Sequence, residues 1–256
     1  MRFSTIRPVY LLILTITLAL LAGCAATNTN LPPEVPAMHS LSEIQDEHVA
    51  QSPDPWVGFN RSVYKFNYNL DKYLLLPITG GYEFITPTIV QTGVSNVFNN
   101  LVDVRNLTNS MFQLQGMESL TTFGRFVTNS TIGIAGIFDV ATELGMPVHN
   151  EDFGQTLGYW GVEAGPYLVL PVFGPSSVRD AGGILVDSAI RYGIAYGINI
   201  YEKMDNEFAI KSGITTLESV DKRHQEKFRY YGSAYPFEYE MLRFLSGKYR
   251  ELQIMK

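Results

Sequence analysis

FGQTLGYWGVEAGPYLVLPVFGP, Phe153–Pro175, decides how this chain is read. It is apolar and aromatic, yet Gly154, Gly158, Gly161, Gly165, Pro166, Pro171, Gly174 and Pro175 interrupt it. That punctuation predicts no α-helix of ordinary length. A plain surface loop does not carry Leu157, Tyr159, Trp160, Tyr167, Leu168, Val169, Leu170, Val172 and Phe173 without a reason. Two readings stand level on these residues. One is a hairpin of two short strands, LGYW and PYLVL, packed on a core. The other is an irregular segment that lines a ligand path, because a buried loop has trouble satisfying its backbone polar groups.

The amino terminus narrows the setting. Arg2 and Arg7 precede an apolar run of fourteen residues, Val9–Ala22, followed by Gly23 and Cys24. As a helix this run is about 21 Å long, short of the ~30 Å hydrocarbon core, so residues 1–23 read as a cleaved signal rather than a membrane span. Leu21-Ala22-Gly23-Cys24 resembles a bacterial lipobox cut between Gly23 and Cys24. Cys24 is the only cysteine, so there is no internal disulfide and the thiol is free for acylation. Two or more acyl chains anchor stably, at about 0.8 kcal/mol per buried CH₂. Ala25 follows the cysteine; the resemblance to a lipobox implies that Asp there would favour inner-membrane retention, so its absence points toward the outer membrane. Residues 24–53, with prolines at 32, 33, 36 and 53, read as a lipidated tether, and the domain spans 54–256.

Net charge is −6, and loss of Arg2 and Arg7 makes the mature chain more acidic. Without a Lys/Arg-rich run, nucleic-acid binding is excluded as a reading. Fifteen Phe, fifteen Tyr and two Trp suit a surface that is apolar on one side and wet on the other.

Apolar spacing predicts helices through most of the chain. Asp54 and Pro55 open the first, with Phe59, Val63, Phe66 and Leu70 on one face. It is expected to stop at Leu74–Pro77, before a turn-rich connection through Gly80-Gly81. The next runs from about Pro87 to Gln115, closed by Gly116, with Val94, Val97, Leu101, Val104, Leu107, Met111 and Leu114 as its stripe. Asn96, Asn99, Asn100, Asn106 and Asn109 share that helix. They read either as caps, a solvated face and a kink near Asn99-Asn100, or as a polar inner wall. Met117–Thr128 follows, with Leu120, Phe123 and Val127 inward, and then a glycine-rich segment with a helix near Phe138–Leu144. His149–Asp152 reads as a solvated turn. Ser176 or Ser177 caps a helix to about Tyr196, and two helices end the chain.

Catalytic signatures do not emerge. The four histidines stand neither three nor four residues from one another, and HExxH, GxSxG, Walker A and GxGxxG are not found. Arg179-Asp180 reads as a local ion pair. The expectation is no enzyme, no metal and no cofactor.

Four blocks carry a resemblance: DPWVGFNRSVYKFN (54–67), GVSNVFNNLVDVRNLTNSMFQLQG (93–116), GRFVTNSTIGIAGIFDVA (124–141) and EDFGQTLGYWGVEAGPYLVLPVFGPSSVRDAGG (151–183). With the lipobox, they resemble the VacJ, or MlaA, lipoproteins of Gram-negative outer membranes. The resemblance implies an all-α, ring-shaped helical domain embedded in one membrane leaflet, with one irregular Gly-rich hairpin loop. It implies non-enzymatic phospholipid transport from the outer leaflet of the outer membrane, through a central channel, to a soluble periplasmic lipid carrier, in association with a trimeric porin. It places the anchor at Cys24 and a channel gate at Gly161, Glu163 and Gly165; Glu163 stands where some relatives have glycine. Tyr159, Trp160, Pro166, Tyr167 and Leu168 would touch lipid, and Asn96, Asn99 and Asn100 would form a polar channel wall. The competing reading is a structural lipoprotein that scaffolds an envelope complex, and a third is a lipid hydrolase of unfamiliar site.

Overall fold

The computed structural model describes residues 54–197, 206–232 and 236–255. The signal, the lipobox with Gly23 and Cys24, and the tether lie outside the described residues. The described chain is helical apart from one hairpin.

Helix α1 (Val57–Leu70) continues through a π-helical turn, Asp71–Leu75, into α2 (Leu76–Ile85). The expected stop at Leu74–Pro77 is therefore corrected. Pro77 has no N–H for the helical ladder, and the widened π turn just before it absorbs that loss. Gly80 and Gly81 lie inside α2, not in a connection. The break comes at Thr86, held extended (φ −105°, ψ 124°) by the steric demand of Pro87.

Helix α3 (Thr88–Phe112) is one unbroken element of 25 residues that runs on through Asn99-Asn100 with no break in the helix. Gly116 opens α4 (Gly116–Thr131) rather than closing α3, and the two helices pack along each other. A series of turns leads to the short α5 (Val140–Glu143), capped by the Asp139 side chain accepting from Thr142 N. Helix α6 (Phe153–Tyr159) starts the same way, with Asp152 accepting from Gln155 N. Strands β1 (Tyr167–Leu170) and β2 (Gly174–Ser177) pair antiparallel, Tyr167 opposite Ser177. Then come α7 (Val178–Gly197), α8 (Glu207–Gln225) and α9 (Glu238–Ile254). Ser177 Oγ accepts from Asp180 N at 3.1 Å and so caps α7.

The hairpin is real, but its strands are YLVL and GPSS. The LGYW segment is drawn into the end of α6 by the Asp152 cap, and Gly161 N closes the turn onto Gly158 O at 2.9 Å. The outer edge of β1 is not left open. Asn60 donates to Tyr167 O (3.1 Å) and accepts from Val169 N (2.8 Å). Two helical turns on, Asn67 donates to Leu170 O (2.9 Å) and accepts from Val172 N (2.8 Å). Two carboxamides on α1 thus take the place of a third strand.

Around that junction lies a small aromatic core of Val63, Tyr64, Tyr167, Val169 and Tyr239, with Tyr230, Tyr231 and Leu242 against it. Tyr64 sits edge-on to Tyr230 at 5.0 Å and to Tyr239 at 5.8 Å. Tyr64 donates to Glu238 at 2.6 Å and Tyr239 to Asp54 at 2.5 Å, which ties α9 to the start of the domain. Burial, reinforced by these carboxylate partners, pushes both phenols far above their ordinary range.

Candidate functional site

Away from that core, the usual arrangement of polar and apolar side chains is reversed. The buried face of α3 is Gln91, Asn100, Asp103, Asn106, Asn109 and Ser110. Its predicted apolar stripe faces outward in part, with Leu101 and Met111 exposed, and so is Leu114 just beyond. On α4 the expected inward residues Leu120, Phe123 and Val127 are likewise exposed, and Thr122, Arg125 and Asn129 are buried instead. Both expectations assumed water outside and hydrocarbon inside. Most of the buried polar groups here find partners in one another, which offsets much of the cost of their burial, although Thr122 Oγ1 and Asn100 Oδ1 have none among the described residues.

The buried network can be followed atom by atom. Asn109 donates to Asp187 (2.9 Å) and accepts from Thr156 Oγ1 (2.9 Å). Gln113 donates to Glu151 (3.0 Å) and Thr156 (3.1 Å). Asn106 accepts from Glu151 N at 3.2 Å, and Asp187 accepts from Phe153 N at 3.0 Å. Glu151 is 0% exposed, which corrects the solvated turn expected at His149–Asp152. The second half of the network centres on Arg125. It donates to Met146 O (2.6 Å), Thr142 Oγ1 (3.0 Å) and Asp139 (3.2 Å), and pairs with Asp103 at 3.5 Å. Burial pushes the Asp103 carboxyl up, and the Arg125 charge only partly offsets this. Burial also raises Asp139, but hydrogen bonds from Thr142 and Asn129 and the Arg125 charge outweigh it and hold that carboxyl below its ordinary value.

The asparagines expected to form one wall serve different neighbours. Asn96 donates to Ile137 O (2.9 Å) and Asn100 to Ser130 Oγ (2.9 Å), which fastens the turns after α4 and the last turn of α4 itself onto α3. Asn99 is exposed beside Gln225. The polar interior is instead carried by residues 103–113, with Glu151, Thr156, Arg125 and Asp187. The polar residues at 103, 106, 109, 110 and 113 recur at helical spacing, a signal present in the sequence that the apolar stripe overshadows.

The glycine-bounded loop sits at the edge of this network. Gly161 (φ 88°) and Gly165 (φ 70°) occupy the left-handed region, where a side chain is strained. Glu163 is exposed between them, as are Tyr159 and Trp160. The Trp160 indole N–H donates to Phe112 O at 3.1 Å and its ring meets Phe153 at 5.8 Å. Pro166 and Leu168 are half-buried. Tyr167 does not reach the surface. It is 4% exposed and packs on Tyr239 at 6.0 Å, so its expected contact with lipid is corrected to a place in the core.

The exterior carries Phe84 at 91% exposure, Leu114 at 84%, Ile89 at 77% and Met117 at 76%. Three exposed turns place an apolar side chain where glycine or asparagine is the easy choice: Leu114 (φ 58°), Ile134 (φ 53°) and Val172 (φ 71°). For β-branched residues this conformation is a true outlier, and strain held in place at a surface points to use. Between the first half of α3, Ile137, Phe138 and Leu217 lies an apolar groove of about 560 Å³. Among the described residues no helix is long and apolar enough to cross a membrane, and no group of His, Cys, Asp or Glu is arranged to hold a metal.

Comparison with known proteins agrees with this picture. The family model described as MlaA lipoprotein matches residues 52–253. A protein of Rickettsia felis is 35% identical over 172 residues, 67% of this chain and 65% of that protein. The intermembrane phospholipid transport system lipoprotein MlaA of Escherichia coli is 36% identical over 138 residues, 52% of this chain and 55% of its own length. The protein of the same name from Haemophilus influenzae is 33% identical over 149 residues, 57% of this chain and 60% of its own. The matches thus span just under two thirds, or less, of these curated relatives. The solved structure reported as "Structural basis for maintenance of bacterial outer membrane lipid asymmetry" is similar with a TM-score of 0.60 and 26% identity, covering 79% of this chain and 99% of that chain.

Proposed function

The chain belongs to the MlaA lipoprotein family, and on that premise we propose that it moves phospholipid between the outer membrane and a soluble periplasmic carrier without catalysis. The observation that carries this reading is the reversed polarity: carboxamides, carboxylates and Arg125 inside, large apolar side chains outside. A phospholipid has a polar head and apolar tails, and a path for it needs a polar lining beside a lipid-facing exterior. The exposed apolar residues would sit in one leaflet as a helical ring, anchored through Cys24. The headgroup would pass along the polar side, and the loop Gly161–Pro166 would gate it through Gly161, Glu163 and Gly165. A trimeric porin beside the ring would supply the second membrane partner.

Two measurements test this. The purified chain should float with phospholipid vesicles. A combined Phe84→Gln, Leu114→Gln and Met117→Gln variant should lose most of that binding while keeping its helix content. In cells, loss of the protein should raise outer-leaflet phospholipid, and an unchanged level would overturn transport in favour of a scaffolding lipoprotein.

A further inference from the structure

The loop Gly161–Pro166 is held from one side by α7. Arg179 N donates to Ala164 O (3.1 Å), Val178 N to Pro166 O (3.2 Å), and the Arg179 guanidinium Nη1 to Val162 O (3.3 Å). That guanidinium does not stand alone. Its Nε donates to Asp180 Oδ1 at 3.0 Å. The other oxygen of Asp180 accepts from Arg250 Nε at 3.1 Å, on the last turns of α9. Arg250 Nη1 meanwhile donates to Asp152 Oδ2 at 2.7 Å, and Asp152 is the cap from which α6 starts. One C-terminal arginine therefore grips the helix before the loop and the helix after it.

The packing around this relay leaves little slack. A Cβ on Gly183 would collide with the backbone of Gly154, and one on Gly154 would lie 2.6 Å from Asp180 Oδ1, so α6 and α7 cross at backbone contact. Any Cβ on Gly158 would run into Ile254, four residues beyond Arg250 on the same helix. Burial raises the Asp152 carboxyl, but the Arg250 charge and its hydrogen bond, with the Gln155 amide, outweigh it and keep that carboxyl ionised well below neutrality.

We propose that Arg250, acting through Asp152 and through Asp180 and Arg179, is a positioning residue that fixes the loop Gly161–Pro166, so that the C-terminal helix acts as the latch of the proposed gate. This rests on the gating role given to that loop above. A force applied to α9 reaches Val162 O through three charge-assisted hydrogen bonds, Arg250 to Asp180, Arg179 to Asp180 and Arg179 to Val162 O, a class stronger than neutral ones. Loss of the arginine leaves Asp152 and Asp180 facing each other without their shared cation.

Amide hydrogen exchange on the full chain in phospholipid vesicles tests this. With Arg250→Ala, amides of Val162, Val178 and Arg179 should exchange about tenfold faster, while those of residues 103–113 keep wild-type protection. Arg250→Lys should restore part of the protection. Arg191→Ala, at the exposed Arg191–Glu218 pair, should leave the loop unchanged. Wild-type exchange in the loop of Arg250→Ala overturns the proposal, and so does an increase spread equally over α3, which marks general loosening. If Arg250→Ala does not fold, Asp152→Asn takes its place and should loosen the same amides. A loosened loop with unchanged outer-leaflet phospholipid supports the latch and overturns the gate.

Discussion

Arg223 and Asp71 meet as guanidinium and carboxylate across 152 residues of chain, Nη2 to Oδ2 at 2.9 Å with Nε on the other oxygen. Both are buried. The pair joins the end of α8 to the π turn, and Arg223 also donates to Glu226 O (2.8 Å) and Phe228 O (3.2 Å). Arg223→Ala leaves a buried carboxylate unpaired and should lower stability by about 3–5 kcal/mol. Replacing both partners with Leu and Met should cost much less than the two single changes together. Denaturant unfolding in detergent measures this, and additivity would refute the pairing.

Gly161 has open space around the position of a Cβ, so its requirement is set by φ alone. Gly161→Ala should cost about 1–2 kcal/mol through the left-handed backbone. Gly161→Pro cannot adopt φ 88° at all. It should impair lipid transport while membrane localisation stays intact. Unchanged outer-leaflet phospholipid in that variant would remove the loop from the transport path.

Leu114 offers the opposite trade. Leu114→Gly relieves a left-handed side chain and should stabilise the fold by up to about 1 kcal/mol. The same change should weaken vesicle binding, because 84% of that side chain is exposed. A variant that gains stability and loses no membrane affinity would show that Leu114 has no contact with lipid.

Acid sensitivity follows from Asp139 and Asp152, whose carboxyls sit below the ordinary value of about 3.9 in the folded state. Depressed folded values mean that the unfolded chain binds more protons in this window. Their stabilisation is present above about pH 3.9 and is lost as pH falls through the folded values. Asp103 has the opposite sign: its raised value makes ionisation unfavourable as pH rises through it. Melting temperatures measured from neutrality to about pH 2 should fall steeply at the acid end, and Asp152→Asn should flatten part of that fall.

Cys24→Ser should abolish incorporation of labelled palmitate and leave the chain unprocessed or unanchored. Labelling at the wild-type level would overturn the lipobox assignment.

The existence and order of the longer helices were legible in the sequence, because apolar spacing marks a helix whichever face is buried; α2 and the short α6, both rich in glycine, were not. Which face is buried was not. Leu120, Phe123 and Val127 lie on one side of α4 and Thr122, Arg125 and Asn129 on the other; the pattern alone is symmetric with respect to inside and outside. The stop at Leu74–Pro77 failed because a π turn lets a proline follow a helix without ending it. Asn60 and Asn67 carried a readable signal, two carboxamides seven residues apart on a helix, but their partners are backbone atoms about a hundred residues away. Gly161 and Gly165 were legible as interruptions of any long helix and fall at positive φ, and the latch at Arg250 was invisible because it depends on three segments meeting in space.

The reversed polarity also changes what counts as a denaturant for this chain. For an ordinary domain water is the medium that drives collapse. Here, with carboxamides inside and Phe84, Leu114 and Met117 outside, water rewards the wrong burial and favours compact states with the faces exchanged. A sequence written this way should aggregate in plain water and keep its fold where detergent or lipid covers its apolar outside.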